Sequence, residues 1–188
     1  MLEDDGSARW IEAGLDELAE AGIDGVRVEG IAKRLGVTKG GFYRRFKDRR
    51  ALLDALLETW SQGRIAAVDH QFALDGASPA ERLQSLVKLY SERVSAHGIA
   101  IELAIRQWAR SDQAAAAAVT RVDRHRLRNI EVLYEKMGLA AKEAEGRAVL
   151  FYSFLFGQSL LFLEHSPRKR ASLIAACLVT LMDAGVGK

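Results

Sequence analysis

Most of the features that interrupt or cross-link a helical chain are scarce here. Proline occurs twice in 188 residues, at Pro79 and Pro167. Both follow serine, the arrangement of a helix N-cap with proline in the first turn. Runs that alternate β-branched with polar residues are missing, which excludes a sheet-based fold. The single cysteine, Cys177, can form no intrachain disulfide. Its apolar helical surroundings read as those of a small core residue. No apolar run reaches the length of a membrane span. The opening residues Met1-Leu-Glu-Asp-Asp5 are acidic where a secretory leader carries basic charge. The expectation is a soluble, cytoplasmic protein with no membrane contact. The four histidines, His70, His97, His125 and His165, show no metal-ligand spacing. Gly-x-Ser-x-Gly, P-loop and dinucleotide fingerprints are all missing, so neither catalysis, a metal nor a cofactor is expected.

With 49% hydrophobic and 28% charged residues the composition is that of an ordered globular protein. A net charge of +2 says little, but its distribution says more. Between Arg27 and Arg50 lie Arg27, Lys33, Arg34, Lys39, Arg44, Arg45, Lys47, Arg49 and Arg50, opposed only by Glu29 and Asp48. The segment before them is acidic. Positive charge focused in one place is the footprint of a polyanionic partner.

Helical periodicity runs through almost the whole chain. A first helix is expected from about Ser7 to Ala21, with Trp10, Ile11, Leu15 and Leu18 as its buried stripe and Gly22 as its C-cap. Two short helices follow near 28–35 and 38–45. Asp48 then caps a longer fourth helix carrying Leu52, Leu53, Leu56, Leu57 and Trp60. Further helices are expected near 79–96, 100–110, 112–137, 141–164 and 167–184. Gly98, Ser111-Asp112, Gly138 and Ser166-Pro167 punctuate them, and Leu74-Asp-Gly-Ala-Ser78 reads as a linker. The predicted fold is all-α, with about nine helices. A small N-terminal unit at 1–50 is followed by a larger helical domain at 51–188.

The most informative stretch runs from Arg27 and Val28 to Lys47 and reads as a helix-turn-helix at about 27–46. Ile31, Ala32 and Leu35 give the first of its helices a narrow buried face, and Gly36 supplies the left-handed residue that ends it. Thr38 is placed to cap the next helix with its hydroxyl, and Phe42 and Phe46 anchor that helix at i, i+4. From Thr38 to Arg45 it would be about 12 Å long, similar to the width of a B-DNA major groove. The adjacent Gly40 and Gly41 each cost about 1 kcal/mol relative to alanine inside a helix, a cost that makes sense where the backbone must come close to another surface. Geometry places Lys39 on base edges, preferring guanine O6/N7. Thr38 and Tyr43 can donate hydroxyls to phosphate, Arg45, Lys47 and Arg49 supply charge along the backbone, and Arg27 with the amide-rich start of the second helix at Val28 can clamp a flanking phosphate.

The run Gly36-Val-Thr-Lys-Gly-Gly-Phe-Tyr-Arg-Arg-Phe-Lys-Asp-Arg-Arg-Ala-Leu-Leu53 resembles the signature of the tetracycline repressor (TetR) family of one-component regulators. The close likeness extends from about Ala8 to Trp60. It implies groove contacts at Lys39, Gly40, Gly41 and Tyr43, and phosphate contacts at Thr38, Arg45 and Arg49. Two departures stand out. Arg27 replaces the usual threonine or serine, and Arg44 and Arg45 stand where an aromatic-histidine pair is common, which implies a different sequence preference. The acidic N-terminus also argues against a basic arm in the minor groove.

The stretch near 148–163 is apolar on nearly all sides, and 173–182 is similar, so one side of each is expected to meet a second subunit in a four-helix bundle. The expected contact residues are Tyr152, Phe156, Leu160, Leu163, Ile174, Leu178 and Leu181. A homodimer would read two half-sites about 34–36 Å, or a multiple of that, apart. The resemblance further implies a palindromic DNA operator, repression, and release by a small-molecule effector of unknown identity. Possible liners of an effector pocket are Trp60, Phe72, Tyr90, His97, Glu102, Arg106, Trp108 and Phe154, each equally suited to core packing or to solvent. The alternative is a DNA-binding regulator governed by a protein partner or acting without a ligand.

Overall fold

The computed structural model describes residues 4–72, 77–92, 96–158, 160–161 and 164–183, with side chains throughout except at 4–5, 89–92, 96 and 167. Among the described residues the chain forms nine helices and no strand. They are α1 (Asp4–Ala21), α2 (Val28–Leu35), α3 (Lys39–Tyr43), α4 (Arg49–Phe72), α5 (Pro79–Glu92), α6 (Ala96–Trp108), α7 (Gln113–Lys136), α8 (Ala141–Gly157) and α9 (Pro167–Met182).

Local chemistry sets most of their ends. Gly36 stops α2 in the left-handed region at φ 67°, its N–H turned back to the carbonyls of Ala32 and Lys33. The Asp48 carboxylate accepts from Ala51 N at 2.9 Å at the start of α4, and Asp112 accepts from Ala115 N at 2.9 Å at the start of α7. Ser78 and Glu81 form a reciprocal capping box ahead of α5. Glu81 accepts from Ser78 N at 2.7 Å, and Ser78 Oγ accepts from Glu81 N at 3.3 Å. Ser166 Oγ accepts from Lys169 N at 3.3 Å in front of Pro167.

Three boundaries differ from the sequence reading. Gly98 lies inside α6, because one glycine in a helix is tolerated when the flanking turns are bonded. The recognition helix α3 has five residues, so its helical rise is about 7.5 Å rather than 12 Å. Beyond it the chain tightens, with Arg45 N and Phe46 N both donating to Phe42 O. Helix α8 ends at Gly157, although the apolar run continues. Arg170 donates to Gln158 O at 3.1 Å and so satisfies one of the carbonyls a helix end leaves open. Of the expected linker at 74–78, only Ala77 and Ser78 lie within the described residues.

The described chain divides by packing into two units: residues 1–66 with 95–122, and residues 67–94 with 123–188. In the first, Trp10, Leu18, Ile31, Phe42, Leu52, Leu56, Trp60, Ile105 and Trp108 form the core, with α1 packed on both α2 and α6. In the second, Leu83, Val87, Ile130, Tyr134, Phe151 and Leu155 do so. This division does not follow the expected boundary at residue 50, because α4 runs unbroken through that point and α6 joins the first core.

Candidate nucleic-acid interface

Phe42 fixes the recognition helix from below. It is fully buried, with the Trp10 ring edge-on at 5.3 Å, Phe46 stacked at 5.5 Å and Tyr43 edge-on at 5.1 Å. With that side anchored, Thr38, Lys39, Gly40, Tyr43, Arg44, Arg45 and Lys47 are exposed, and Tyr43 is 63% so. The glycines are informative. A Cβ at Gly41 would meet nothing within 4 Å, and one at Gly40 would meet only Thr38 Oγ1, at 3.7 Å. Internal packing therefore does not require glycine at either position.

Several expected roles change on inspection. The Val28 side chain is buried at 8% exposure beside Ile31 and Ala32, one helical face of α2. Thr38 is the N-cap residue of α3, but its side chain makes no capping hydrogen bond, so its hydroxyl does not have the expected structural duty. Arg49 was expected on phosphate. Its Nε donates to Val26 O and its Nη2 to Ile23 O, both at 2.7 Å, so it staples α4 to the α1–α2 turn. Arg27 donates through Nε to Asp24 O at 2.9 Å and makes no side-chain cap on α2.

Two more arginines of the basic cluster turn away from the recognition helix. Arg34 binds Glu17 at 2.9 Å, Asp16 at 3.8 Å and Glu20, clamping α2 to α1. Its hydrogen bond holds the Glu20 carboxyl below the usual carboxylate range. Arg50 binds Asp54 at 2.8 Å and Asp112 at 2.6 Å. The hydrogen bond from Arg50, followed by that from Ala115 N–H, holds Asp112 below its ordinary value. The positive surface at α3 therefore consists of Lys39, Arg44, Arg45 and Lys47. Arg45 also donates to Gly41 O at 3.1 Å, and its guanidinium lies against Gly6 of α1. An acidic group also stands on this surface. Glu29, in the first turn of α2, meets Lys39 Nζ at 2.6 Å. The hydrogen bond from Lys39 holds its carboxyl below the usual range.

The possible effector contacts fall in both units. Trp60 and Trp108 are core residues of the first unit. Glu102, 6% exposed, pairs there with Arg106 at 3.0 Å and Arg64 at 3.5 Å, and His97 is exposed and meets Asp16 at 3.0 Å. Phe72 and Phe154 belong to the second unit, packed against its core. The side chain of Tyr90 lies outside those described. Within the second unit Phe72, Val68, Leu86, Arg126, Ile130, Tyr152 and Leu155 line a cavity of about 20 Å³, enough for roughly one water. Its polar wall was not legible in the sequence. The Tyr152 hydroxyl accepts from Arg126 at 2.8 Å and donates to Asp123 at 2.7 Å, so a side chain expected at a subunit contact faces inward.

Of the other expected contact residues, Ile174, Leu178 and Leu181 are partly buried against the core of the second unit, and Leu163 lies outside the described residues. Among the described residues of this region, the large apolar side chains that face outward are Val149 (48% exposed), Leu150 (60%), Leu160 (44%), Leu161 (58%), Leu173 (37%) and Val179 (72%). Phe156 is half-buried. Cys177, expected in the core, is exposed on α9. Among the described residues no cluster of histidine, cysteine and carboxylate side chains could hold a metal, and no helix is long and apolar enough to cross a membrane.

Residues 11–56 match the bacterial regulatory proteins of the tetR family. Over 48 residues the chain is 50% identical to the Escherichia coli tetracycline repressor protein class A from transposon 1721, covering 26% of this chain and 22% of that one. Over 102 residues it is 32% identical to the HTH-type transcriptional regulator BetI of Klebsiella pneumoniae (strain 342), covering 54% and 52%. The chain thus spans about half or less of the length of these curated relatives. The fold extends the likeness. A Saccharomonospora viridis protein solved in complex with choline superposes with a TM-score of 0.77 at 16% identity, over 96% of this chain and 97% of that one. A helix-turn-helix module on an all-helical body defines the class, and over residues 11–56 that module is similar to the TetR family of regulators.

Proposed function

We propose that this chain is a DNA-binding transcriptional regulator that acts as a homodimer on a palindromic operator, represses transcription there, and is released by a small molecule. The observation that carries the reading is the surface of α3. Gly41 opens onto empty space and Gly40 meets only the Thr38 hydroxyl, and Lys39, Tyr43, Arg44 and Lys47 surround them over a rigid aromatic anchor. A helix is 10–12 Å across with its side chains, so diameter rather than length decides whether α3 enters a major groove. Lys39 then reaches base edges, Tyr43 and Thr38 donate to phosphates, and Arg44, Arg45 and Lys47 supply the salt-dependent attraction. The exposed apolar residues of α8 and α9 support the dimer, which supplies the second half-site.

Effector control requires a ligand that binds the two states of the protein with different affinity. The likeness to a choline-bound protein supports a pocket in the helical body. In a second reading a protein partner governs the chain, or it acts without a ligand. A thermal-shift screen of metabolites separates the two, since a ligand stabilises the fold by RT ln(1 + [L]/Kd). DNA binding itself is tested by selecting bound fragments from chromosomal DNA with the wild-type protein and with Lys39→Ala. The reading expects a shared palindrome for the wild type and a relaxed preference at one base pair per half-site for the variant.

A further inference from the structure

A carboxylate on the recognition surface sits against its best base-reading residue. Glu29 opens α2 and Lys39 opens α3, and their side-chain ends meet at 2.6 Å while 64% and 57% exposed. So exposed an ion pair contributes little to stability, so the fold gives no strong reason for it. In a groove bordered by phosphates, a bare carboxylate is unfavourable unless it accepts a hydrogen bond. The major groove offers it only two donors, cytosine N4 and adenine N6.

We propose that Glu29 and Lys39 read one G·C base pair per recognition helix as a unit, the lysine donating to guanine O6 and N7 and the carboxylate accepting from cytosine N4. This rests on the DNA-binding reading above and adds to it a specificity-determining residue. The edge of a G·C pair presents two acceptors on guanine beside one donor on cytosine. An ammonium and a carboxylate already in contact match that order without separating. An A·T pair splits its two acceptors, adenine N7 and thymine O4, to either side of the N6 donor, so the ammonium meets one at a time, and the thymine methyl group lies beside O4. A pair that keeps its own hydrogen bond in the groove also leaves no buried charge unpartnered.

The test uses a duplex selected by the wild-type protein from random-sequence DNA, titrated with wild type, Glu29→Ala, Glu29→Gln and Lys39→Ala. Both side chains are exposed, and circular dichroism checks that each variant is folded. The wild type is expected to select a G·C pair at one position per half-site and to lose affinity when it becomes A·T. Glu29→Ala should reduce that discrimination by about tenfold. Glu29→Gln should shift preference toward A·T, because an amide matches adenine N6/N7. Replacing the selected cytosine with N4-methylcytosine removes the groove-facing amino proton and leaves guanine intact. It should weaken wild type and leave Glu29→Ala unaffected. If Glu29→Ala instead binds every sequence more tightly with its base preferences unchanged, the carboxylate merely repels phosphate and the proposal is overturned. A wild type that binds no DNA at all overturns the regulator reading itself, a result distinct from a wild type that binds and an alanine variant that reads the same bases.

Discussion

At the residue scale, side chains that look alike in the sequence divide into those that build the fold and those that face outward. Arg49 and Lys47 are two residues apart in one basic run, yet Arg49 holds two backbone carbonyls while Lys47 is exposed. Arg49→Ala should therefore destabilise the protein by about 1–3 kcal/mol in urea unfolding, the range for losing hydrogen bonds from a charged donor. Lys47→Ala should leave stability unchanged and reduce the slope of log affinity against log salt by about 1. Glycine gives the complementary case. Gly41→Ala adds a Cβ to open space in a helix, so the fold should hold or gain up to about 1 kcal/mol. Operator binding should nevertheless fall at least tenfold in a mobility-shift titration, because the methyl group meets DNA instead. The glycine pair, its exposed lysine and the tyrosine beside it were legible in sequence, since their types have little other reason to occur together. The division of labour among the arginines was not. A guanidinium's partner depends on carbonyls and carboxylates that lie far away in the chain, such as Val26 O for Arg49 and Asp112 for Arg50.

At the element scale, helix starts were more readable than helix ends. Asp48, Ser78, Asp112 and Ser166 all cap as their types suggest, because a capping bond reaches only three residues along the chain. The end of α8 escaped notice because it depends on Arg170, twelve residues away, donating to Gln158 O. The short α3 escaped because the Phe42 carbonyl takes two donors, a tightening with no signature in residue type. The Asp112 cap gives a pH-dependent prediction. Its folded pKa is depressed by Arg50 and Ala115 N–H. Its contribution is therefore fully present above the unfolded value of about 4 and is lost as pH falls through the lower, folded value. Asp112→Ala should lower Tm at pH 7, with loss of the cap alone worth about 1 kcal/mol. The gap between variant and wild type should narrow as pH falls below about 4. A gap that stayed constant as pH fell below about 4 would place the effect in packing rather than in charge.

At the scale of the whole molecule, an apolar helix run proved a mixed signal. The reading of 148–163 as buried on all sides required a covering for every face, and within one chain Val149, Leu150, Leu160 and Leu161 remain exposed. The inward-facing half was assigned less well, since Tyr152 looks like an interface residue until its hydroxyl is seen between Arg126 and Asp123. Helices α8 and α9 contact each other, and a homodimer through their outer faces predicts that Leu150→Glu together with Val179→Glu yields a folded monomer in sedimentation equilibrium. The stability of each chain should then change little, because both side chains are exposed in the single chain.

The central claim is that α3 enters duplex DNA with Gly40 and Gly41 against it and Lys39 on the bases. The most direct measurement is a fluorescence-anisotropy titration, at low ionic strength, of wild type and Gly41→Ala against the palindrome recovered from chromosomal fragments. The account predicts saturable, salt-sensitive binding by the wild type and at least a tenfold loss in a fully folded Gly41→Ala. Equal affinity for the two proteins, or a wild type that recovers no fragment at all, would contradict it.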